Sequence, residues 1–333
     1  MPFRAYRLTE ANGRITAAFV DHIASELDAG DVVVRVAFSD INYKDALAAT
    51  GKGRILRRPS CIGGIDLSGT VVSSNDPRFT TGDAVLATGF DLGVSHDGGY
   101  AEYARVPGDW LVPLPPSLSL WDAMALGTAG FTAALAIIRM EQNGLRVDNG
   151  PVIVSGATGG VGSIAIAALA RLGYQVVGLT HKDEEVHPYL TSLGASAVQY
   201  GGGMDFTRTR PLDRATWAGA IDNLGGDVLA WMASRMKVNG VIASVGLAKS
   251  AALTTTVMPF ILRGVSILGI SSSDGPSREL RQHAWQRLAT DMLPPMLSAI
   301  ARTITFDELP AAFEQFIAGT VRGRIVVRID PSA

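Results

Sequence analysis

The hydrophobic residues in the middle of the chain change from one spacing to another within a short distance. Residues 152–154 form a short apolar run, which is typical of a buried parallel strand. Glycines follow, and beyond them the apolar residues recur at helical spacing, which predicts a helix with one face turned inward. This order of strand, glycine turn and helix is the context in which a glycine turn binds a dinucleotide. The apolar positions of the predicted helix are Val161, Ile164, Ala165, Ala168, Leu169 and Leu172.

The same alternation continues to residue 270. Further strands are expected there, separated by helices, and six strands with crossover helices predict a doubly wound parallel sheet. The predicted strands after the first are 174–180, 197–200, 218–222, 240–245 and 265–270, and the predicted helices are 184–193, 210–216 and 228–236.

The first 120 residues show strand-like segments separated by turn-forming residues, which indicates a partly closed, β-barrel-like unit. These strands are predicted at 32–38, 68–72, 83–87, 100–106 and 110–114. A helix with a glycine-rich break is expected from about residue 120 to 140. The tail, with helices at 277–292 and 309–317 and strands at 302–305 and 324–329, is expected to return to the first unit.

We therefore predict an α/β protein in which a Rossmann domain is inserted into a β-rich catalytic domain. The predicted boundaries are residues 1–125 with 272–333 for the catalytic domain and 126–271 for the nucleotide-binding domain. A chain of 333 residues has room for both.

Composition narrows the functional classes. A net charge of −2 gives no general reason to expect a nucleic acid or membrane partner. The N-terminus lacks the apolar core of a signal peptide, and the longest apolar stretch, 123–138, is too short to span a bilayer, so we expect a cytoplasmic protein. Cys61 is the only cysteine, which excludes intrachain disulfides and a cysteine-built zinc site.

The glycine turn reads Gly156-x-x-Gly159-x-x-Gly162, with an additional Gly160. Glycines let the backbone approach a pyrophosphate, and the N-terminus of the following helix offers unpaired N–H groups to it. The alternative is a tight strand-to-helix connection without a ligand. We assign the pyrophosphate to Thr158, Gly159, Gly160 and Val161.

The end of the second predicted strand indicates which nucleotide binds. An NAD enzyme usually carries an acidic residue about 20 residues past the glycine turn, for the ribose 2′-hydroxyl. This chain has Thr180-His181-Lys182 there, and a hydroxyl and an ammonium would bind a 2′-phosphate. We therefore predict NADPH, although Lys182 is also compatible with an exposed loop. Strand-end geometry places Gly246, Leu247, Ile261 and Ser271 along the nicotinamide half.

Several segments resemble one protein family. The superfamily-level segments are Gly98-Gly-Tyr-Ala-Glu102, Gly127-Thr-Ala-Gly-Phe-Thr-Ala133 and Leu193-Gly-Ala195; the more specific ones are Asn42-Tyr-Lys-Asp45, Thr50-Gly-Lys-Gly53, Asp76-Pro-Arg-Phe79, Gly108-Asp-Trp-Leu111 and Thr255-Thr-Val-Met-Pro-Phe-Ile-Leu-Arg263. Over essentially its whole length the chain resembles the acrylyl-CoA reductase (quinone oxidoreductase) branch of the zinc-independent medium-chain dehydrogenases/reductases. The resemblance implies a GroES-like catalytic domain, NADPH as cofactor, and reduction of acrylyl-CoA to propionyl-CoA.

The resemblance also assigns roles to residues. It implies that Tyr43 is an active-site tyrosine beside the nicotinamide and that Thr128 binds the carboxamide; the alternatives are a packing tyrosine and a helix-capping threonine. Thr132, Tyr200 and Arg324 are further expected cofactor contacts. The family places an arginine where this chain has Tyr200-Gly201, so Lys182 must carry more of the 2′-phosphate binding.

The same comparison argues against a catalytic metal. The zinc alcohol dehydrogenases of the superfamily carry a cysteine at the position of Asn42 and Gly-His-Glu at that of Gly64-Ile65-Asp66. Without the thiolate and the imidazole, we expect no metal. Asp66 could then hold a local network or orient Tyr43 or Lys44, and we favour the structural role.

Metal-free reduction of a conjugated thioester requires hydrogen-bond donors at the developing enolate oxygen and a proton for the α-carbon. Tyr43 is the leading candidate donor. Asn42 could orient the substrate or form a turn, and His96 could handle a proton or be an ordinary loop residue. No Ser–His–Asp or Cys–His grouping suggests hydrolysis.

A basic run lies close to these residues in the sequence. Lys52, Arg54 and Arg57, with Arg58 next to them, could bind the phosphates of coenzyme A or form a solvated loop. Two alternative functions stay open: a reductase of quinones or free enones, and a catalytically idle NADPH-binding protein. The apolar strand at 265–270 could pair across a two-fold axis, so a homodimer is expected.

Overall fold

The computed structural model describes residues 2–208 and 210–333. The chain divides into two compact units, which we call the first unit (Met1–Thr128, Ser273–Gln282 and Leu297–Ala333) and the second unit (Ala129–Ser272 and His283–Met296). The sequence analysis assigns the whole of 272–333 to the first unit. The structure corrects this assignment, because His283–Met296 belongs to the second unit. Within the second unit, the Trp285 ring stacks 6.4 Å from that of Phe131.

The first unit begins with a hairpin that the sequence analysis did not predict. Strands β1 and β2 pair antiparallel through a two-residue turn, Asn12 and Gly13, both with positive φ. Asn-Gly is the pair that a type I′ hairpin turn favours. The short strand β4 pairs with the other edge of β1, which completes a three-stranded sheet. The strands are β1 (Pro2–Ala11), β2 (Arg14–Ile23) and β4 (Ser60–Ile62).

The second sheet of the first unit contains seven strands in the order β15-β16-β3-β5-β6-β8, with β7 also paired to β3. Strand β16 runs antiparallel to β3, so the tail returns to the first unit as expected. Helix α9 (Leu309–Ile317) packs against an apolar core to which both sheets contribute. The strands are β3 (Val32–Asp40), β5 (Asp66–Ser74), β6 (Ala84–Thr88), β7 (Tyr103–Val106), β8 (Val112–Pro113), β15 (Ala301–Thr305) and β16 (Arg324–Arg328).

The second unit contains a six-stranded, fully parallel sheet in the order β11-β10-β9-β12-β13-β14. This is the order of a Rossmann fold, and the predicted fold class is confirmed. The strands are β9 (Val152–Ser155), β10 (Val176–Thr180), β11 (Ala197–Tyr200), β12 (Trp217–Asp222), β13 (Met236–Ser244) and β14 (Ser266–Gly269).

In this region one predicted helix is absent from the structure and one observed helix was not predicted. The helix predicted at 210–216 is wrong: residues 210–216 are irregular, and Pro211 disfavours helical backbone at the residue before it. Helix α6, inside the segment Thr255–Arg263, was not predicted. The α-helices in the part of the chain that the structure describes are α1 (Tyr43–Thr50), α2 (Leu120–Gln142), α3 (Gly160–Arg171), α4 (His187–Ser192), α5 (Gly226–Ser234), α6 (Met258–Arg263), α7 (Arg278–Leu288), α8 (Leu297–Ile300) and α9 (Leu309–Ile317).

Helix α2 is longer than the apolar stretch seen in the sequence. Its 23 residues are long and apolar enough to cross a membrane, and 89% of its most apolar stretch is buried inside the protein, as in a core helix. The helix kinks at Gly127, whose φ is 51° and ψ −156°. The expectation that no membrane is involved stays a prediction.

Candidate active site

The glycine turn of the second unit joins β9 to α3 at the carboxyl edge of the parallel sheet. Gly156 has a φ of 58°, in the left-handed region that glycine favours. A Cβ on Gly162 would lie 2.3 Å from the carbonyl oxygen of Gly156, so the helix and the turn approach more closely than any side chain permits. Gly159 caps α3, and Gly160 and Val161 begin it. The first turn of a helix leaves N–H groups without intrahelical partners, so this cradle fits a pyrophosphate.

A buried polar network supports the cradle, and the sequence analysis missed it. The Ser155 hydroxyl donates to Asp222 Oδ1 at 2.7 Å. The Asn223 backbone N–H donates to Ser155 Oγ at 2.9 Å, and Asn223 Nδ2 donates to the Ser155 carbonyl oxygen at 2.7 Å. Burial raises the pKa of Asp222. The ends of β9 and β12 are thereby fixed beside the turn. The sequence signal for this network is the pair Asp222-Asn223 at the end of an apolar strand.

The predicted 2′-phosphate residues lie at one corner of the same edge. Thr180 and Tyr200 end β10 and β11 and are neighbours in the parallel register. The Lys182 backbone N–H donates to Thr180 Oγ1 at 3.1 Å, which fixes the start of the loop. The His181 ring meets the Phe206 ring edge-on, with 5.7 Å between their centroids. Residues from three segments therefore meet beyond the strand ends.

The remaining predicted cofactor residues of the second unit do not form one group in the structure. Gly246 packs against Asn223, because a Cβ there would lie 2.5 Å from the Asn223 carbonyl oxygen. Thr132 on α2 is buried, whereas Leu247, Ile261 and Ser271 are exposed. Their cofactor contacts stay predictions.

In the first unit, three of the predicted site residues belong to one buried charged network around Asp40 and Asp66. Arg324 Nη2 pairs with Asp40 Oδ2 at 2.7 Å, and its Nη1 donates to Asn42 Oδ1 at 3.1 Å. Asn42 Nδ2 donates to Asp40 Oδ1 at 2.8 Å and to Asp66 Oδ2 at 2.9 Å. Thr128 joins the network from α2.

The network corrects the prediction for Arg324. This side chain was predicted to contact the cofactor, but it is 2% exposed and its guanidinium pairs with Asp40 inside the first unit. A buried carboxylate is stabilised by such a partner because its hydration has been lost. Arg324 is therefore a residue of the protein interior.

The contacts of Asn42 favour the structural one of the two roles that the sequence left open, and its contact with a substrate stays a prediction. It is 9% exposed, and both ends of its amide are used within the network. It immediately precedes α1, where the Asp45 carboxylate accepts the Asn42 backbone N–H at 2.9 Å. Asn42 therefore positions the start of α1. The spacing Asn42-x-x-Asp45 resembles a capping box, the signal by which the helix was predictable.

Tyr43 is the first residue of α1, directly after the network. Its side chain is 49% exposed. The structure thus presents the phenol at the surface of the first unit on a helix whose N-terminus is fixed by buried hydrogen bonds. A phenol is a neutral donor at pH 7.

Thr128 is bound to Asp66 by two hydrogen bonds. Its hydroxyl donates to Oδ1 at 2.6 Å and its backbone N–H donates to Oδ2 at 2.7 Å. With its proton used, the hydroxyl could meet a carboxamide only as an acceptor, and that contact stays a prediction. Gly127 is required beside it, because a Cβ there would lie 2.0 Å from Asp40 Oδ2.

Burial changes the protonation of this network. It raises the pKa of Asp40 well above its ordinary value, against the opposing effect of the Arg324 guanidinium. Burial also raises the pKa of Asp45 to about 7, and the nearby Asp66 adds to this. The cluster therefore resists carrying three full negative charges beside a single guanidinium. Asp40 and Asp45 were not recognised from the sequence.

The environment of His96 favours a structural role. Its Nδ1 lies 2.9 Å from the Asp97 carbonyl oxygen and its Nε2 lies 3.0 Å from that of Ala29. Its ring also packs edge-on against Trp110. Both nitrogens face backbone carbonyl oxygens, one from the next residue and one from a distant loop, so catalysis by His96 stays a prediction that these contacts do not support.

The basic run divides into two parts. Arg58 pairs with Asp28 and Asp97, each at 2.8 Å, so it fixes the loop. The predicted substrate residues Lys52, Arg54 and Arg57 are exposed, and Arg57 lies 3.7 Å from Asp91. Within residues 2–208 and 210–333, no ion pair includes Lys52 or Arg54. These two side chains are available to an anion.

The position of the zinc ligands in related dehydrogenases is filled here by groups that satisfy one another. Arg324 places a positive charge among Asp40, Asn42 and Asp66, and this charge would repel a metal cation. In the part of the chain that the structure describes, no three His, Cys, Asp or Glu residues are grouped to hold a metal ion. The metal-free reaction stays a prediction.

Comparison with known proteins defines the class first. Residues 28–116 match the alcohol dehydrogenase GroES-like domain. With the Rossmann sheet of the second unit, this makes the protein an oxidoreductase of the medium-chain dehydrogenase/reductase class.

Three relatives narrow the class. The chain is 44% identical to acrylyl-CoA reductase AcuI of Ruegeria pomeroyi, over 96% of this chain and 97% of the relative. It is 46% identical to "Putative quinone oxidoreductase YhfP" of Bacillus subtilis, over 96% of this chain and 97% of the relative. The structure of yhfP with NAD bound superposes with a TM-score of 0.95, covering 98% of this chain and 99% of the other. That of the yhdH oxidoreductase from Salmonella enterica with NADP has a TM-score of 0.94 at 46% identity, covering 98% and 100%.

The chain therefore belongs to the acrylyl-CoA reductase and quinone oxidoreductase family.

Proposed function

We propose that this NADPH-dependent oxidoreductase reduces the carbon–carbon double bond of acrylyl-CoA, or of a related short 2-enoyl-CoA, to the saturated thioester. Full-length similarity to an acrylyl-CoA reductase supports the substrate, and the NADP-bound Salmonella relative supports the cofactor. The observation that carries the proposal is Tyr43: a half-exposed phenol on a helix whose start is fixed by a buried network that contains a guanidinium.

The second unit holds the cofactor in this proposal. The turn at Gly156–Gly162 receives the pyrophosphate, because a Cβ at Gly162 would close the cradle. Thr180, His181, Lys182 and Tyr200 receive the adenosine end, where the 2′-phosphate distinguishes NADPH from NADH. Bound NADPH supplies the hydride to the β-carbon, and a side chain or water supplies the proton that the α-carbon takes up.

The first unit activates the substrate. The Tyr43 hydroxyl donates a hydrogen bond to the thioester oxygen as negative charge develops on it, and this stabilises the enolate without a metal. Asn42 and Asp45 hold the N-terminus of α1, so the phenol needs little reorganisation during the reaction. Lys52 and Arg54 bind the phosphates of coenzyme A at the surface.

Steady-state kinetics with acrylyl-CoA and with a quinone test the proposal. We expect kcat/KM to favour acrylyl-CoA by at least about a hundredfold, and Tyr43→Phe to lower kcat about 10- to 100-fold with little change in KM, because the lost bond forms in the transition state. Tyr103→Phe, a half-buried tyrosine on β7, is the matched control. Faster turnover of the quinone would refute the thioester substrate, and an unchanged kcat would remove Tyr43 from the mechanism.

The second candidate is a quinone or free-enone reductase, which the name of the Bacillus subtilis relative favours. The loop that contains Lys52 and Arg54 distinguishes the two candidate functions, because only a coenzyme A substrate offers it phosphates. Replacing Lys52 and Arg54 by alanine should raise KM for acrylyl-CoA and leave that for a quinone unchanged. The third possibility, an idle NADPH-binding protein, predicts no turnover of any of these substrates.

We also propose a homodimer formed at the edge of the parallel sheet. Strand β14 is an edge strand, and α6 before it exposes Ile261 and Leu262. An apolar surface beside a free strand edge favours pairing with a second copy. Sedimentation of Ile261→Asp should show the monomer, and an unchanged dimer would refute this interface. Cytoplasmic localisation stays a prediction.

A further inference from the structure

The loop that follows β13 leaves its own strand and crosses the end of β12. The backbone N–H groups of Lys249 and Ser250 donate to the carbonyl oxygen of Leu224, at 2.9 and 3.2 Å. Strand order alone places residues after β13 beside the nicotinamide half of a dinucleotide. These hydrogen bonds instead direct the loop toward β12, and so toward the corner at the ends of β10 and β11.

Phe206 links this loop to that corner. The Lys249 ammonium lies over the Phe206 ring, 5.2 Å from its centroid, and the His181 ring contacts the same ring edge-on at 5.7 Å. The Phe206 ring is itself buried and held edge-on by Trp231 at 5.3 Å. His181 also packs on the end of β11, where a Cβ on Gly201 would lie 3.2 Å from its Cε1. A fixed aromatic ring therefore places Lys249 beside His181.

The exposed Lys249 ammonium and the His181 imidazole determine the electrostatics of this corner. Burial and the neighbouring Lys249 ammonium lower the pKa of His181, which therefore favours its neutral form. Within residues 2–208 and 210–333, none of the ion pairs includes Lys249. Phosphate dianions are bound by groups of this kind: an exposed ammonium (Lys249), an imidazole N–H (His181) and, at the next position in the sequence, a second lysine (Lys182).

We propose that Lys249 binds the 2′-phosphate of NADPH together with Lys182 and His181, and that it is a determinant of the preference for NADPH over NADH. This rests on the proposed function only in that the cofactor is NADPH. The residue lies 67 positions beyond Lys182 in the sequence, outside the segment in which nucleotide preference is ordinarily read.

Calorimetric titration of the full chain with 2′,5′-ADP and with 5′-AMP tests the proposal without turnover. For Lys249→Met we expect the Kd of 2′,5′-ADP to rise about 10- to 100-fold, the loss of one charge-assisted hydrogen bond, while that of 5′-AMP changes by less than about twofold. Lys249→Arg should restore most of the affinity, because it restores the charge.

Lys237→Met is the matched control. It removes the same charge from the start of β13, at the opposite edge of the sheet, where Lys237 Nζ donates to the Asn149 carbonyl oxygen at 2.9 Å. We expect it to leave both titrations unchanged, and an equal loss in it would assign the effect to net charge and overturn the proposal.

Two further results would also overturn it. An unchanged affinity of Lys249→Met for 2′,5′-ADP would show that the ammonium does not reach the phosphate. Equal weakening of 5′-AMP and 2′,5′-ADP would show that Lys249 acts on the shared adenosine or on Phe206. If the unmodified protein itself does not prefer 2′,5′-ADP, NADPH as the cofactor fails as well, whereas failure of Lys249→Met alone leaves the cofactor assignment intact.

Discussion

The two units build their candidate sites from different materials. In the second unit the site is mostly backbone: a glycine turn, the N-terminus of α3 and the ends of parallel strands, with exposed side chains at one corner. In the first unit the site is a set of buried charged and polar side chains that satisfy one another, and a single exposed phenol beside them. The site of the second unit leaves backbone N–H groups available to a ligand, whereas the polar groups of the first unit's network already bind one another.

This difference has a physical origin. A backbone cradle binds an anion with N–H groups that the helix leaves unpaired, so it needs no charged side chain and little space. A buried side-chain network must compensate each charge it contains, because desolvation of an unpaired ion is expensive. Substitutions should therefore affect ligand binding in the second unit and stability in the first.

The largest effect is expected from Arg324→Met. It leaves Asp40 buried without its cationic partner and should lower the free energy of unfolding by about 3–5 kcal/mol, measured by urea denaturation. The Kd for NADPH of the folded fraction should stay within about twofold, because the residue belongs to the network.

A surface ion pair supplies the control for this variant. Arg35 pairs with Asp330 at 2.7 Å but is 55% exposed, so Arg35→Met should cost less than about 1 kcal/mol. If Arg324→Met keeps the stability of the unmodified protein and loses NADPH, the contrast between the two sites is wrong and the original prediction of a cofactor contact is right.

Gly162→Ala should have the next largest effect. Its Cβ would lie 2.3 Å from the Gly156 carbonyl oxygen, so the turn must open at a cost of about 2–3 kcal/mol in stability, and NADPH binding should weaken more than about tenfold. Fluorescence titration of NADPH measures the second quantity. Gly269→Ala on β14 adds a methyl group where nothing lies within 4 Å, and it should leave binding unchanged. Normal binding by Gly162→Ala would remove the cradle from the site.

The smallest effect concerns pH. Burial raises the pKa of Asp45 to about 7 in the folded protein from an ordinary value of 3.8. As pH rises through this window, the unfolded chain loses its proton first, so stability falls between about pH 4 and 7 and levels off above. Between pH 5 and pH 7 this group should cost about 2 kcal/mol, seen as the shift of the urea midpoint.

Asp45→Asn should reduce that slope, whereas Asp21→Asn, an exposed aspartate on β2, should preserve it. An identical slope in Asp45→Asn and in the unmodified protein would show that Asp45 is ionised in the fold throughout this range.

The elements that the sequence predicted well are those whose signal is local. The glycine turn, β9 and α3 follow from the spacing of a few neighbouring residues, and α9 was predicted with its observed bounds, Leu309–Ile317. The hairpin of β1 and β2 was missed although Asn12-Gly13 was a local signal for it. The prediction of a helix at 210–216 is wrong because Pro211 disfavours helical backbone at the residue before it.

By itself, the sequence determined the parallel sheet, the glycine turn that joins β9 to α3, and the family, because strand, turn and helix patterns depend on residues close together in the chain. The tertiary structure alone decided the partners of Asn42, Arg324 and Lys249. Arg324 meets Asn42 across 282 positions, and the loop of Lys249 bends away from its own strand to reach Leu224. The role of a charged side chain depends on the groups that surround it in the folded protein. Its burial and its charge partners are set by residues far apart in the sequence, so local sequence patterns do not reveal them.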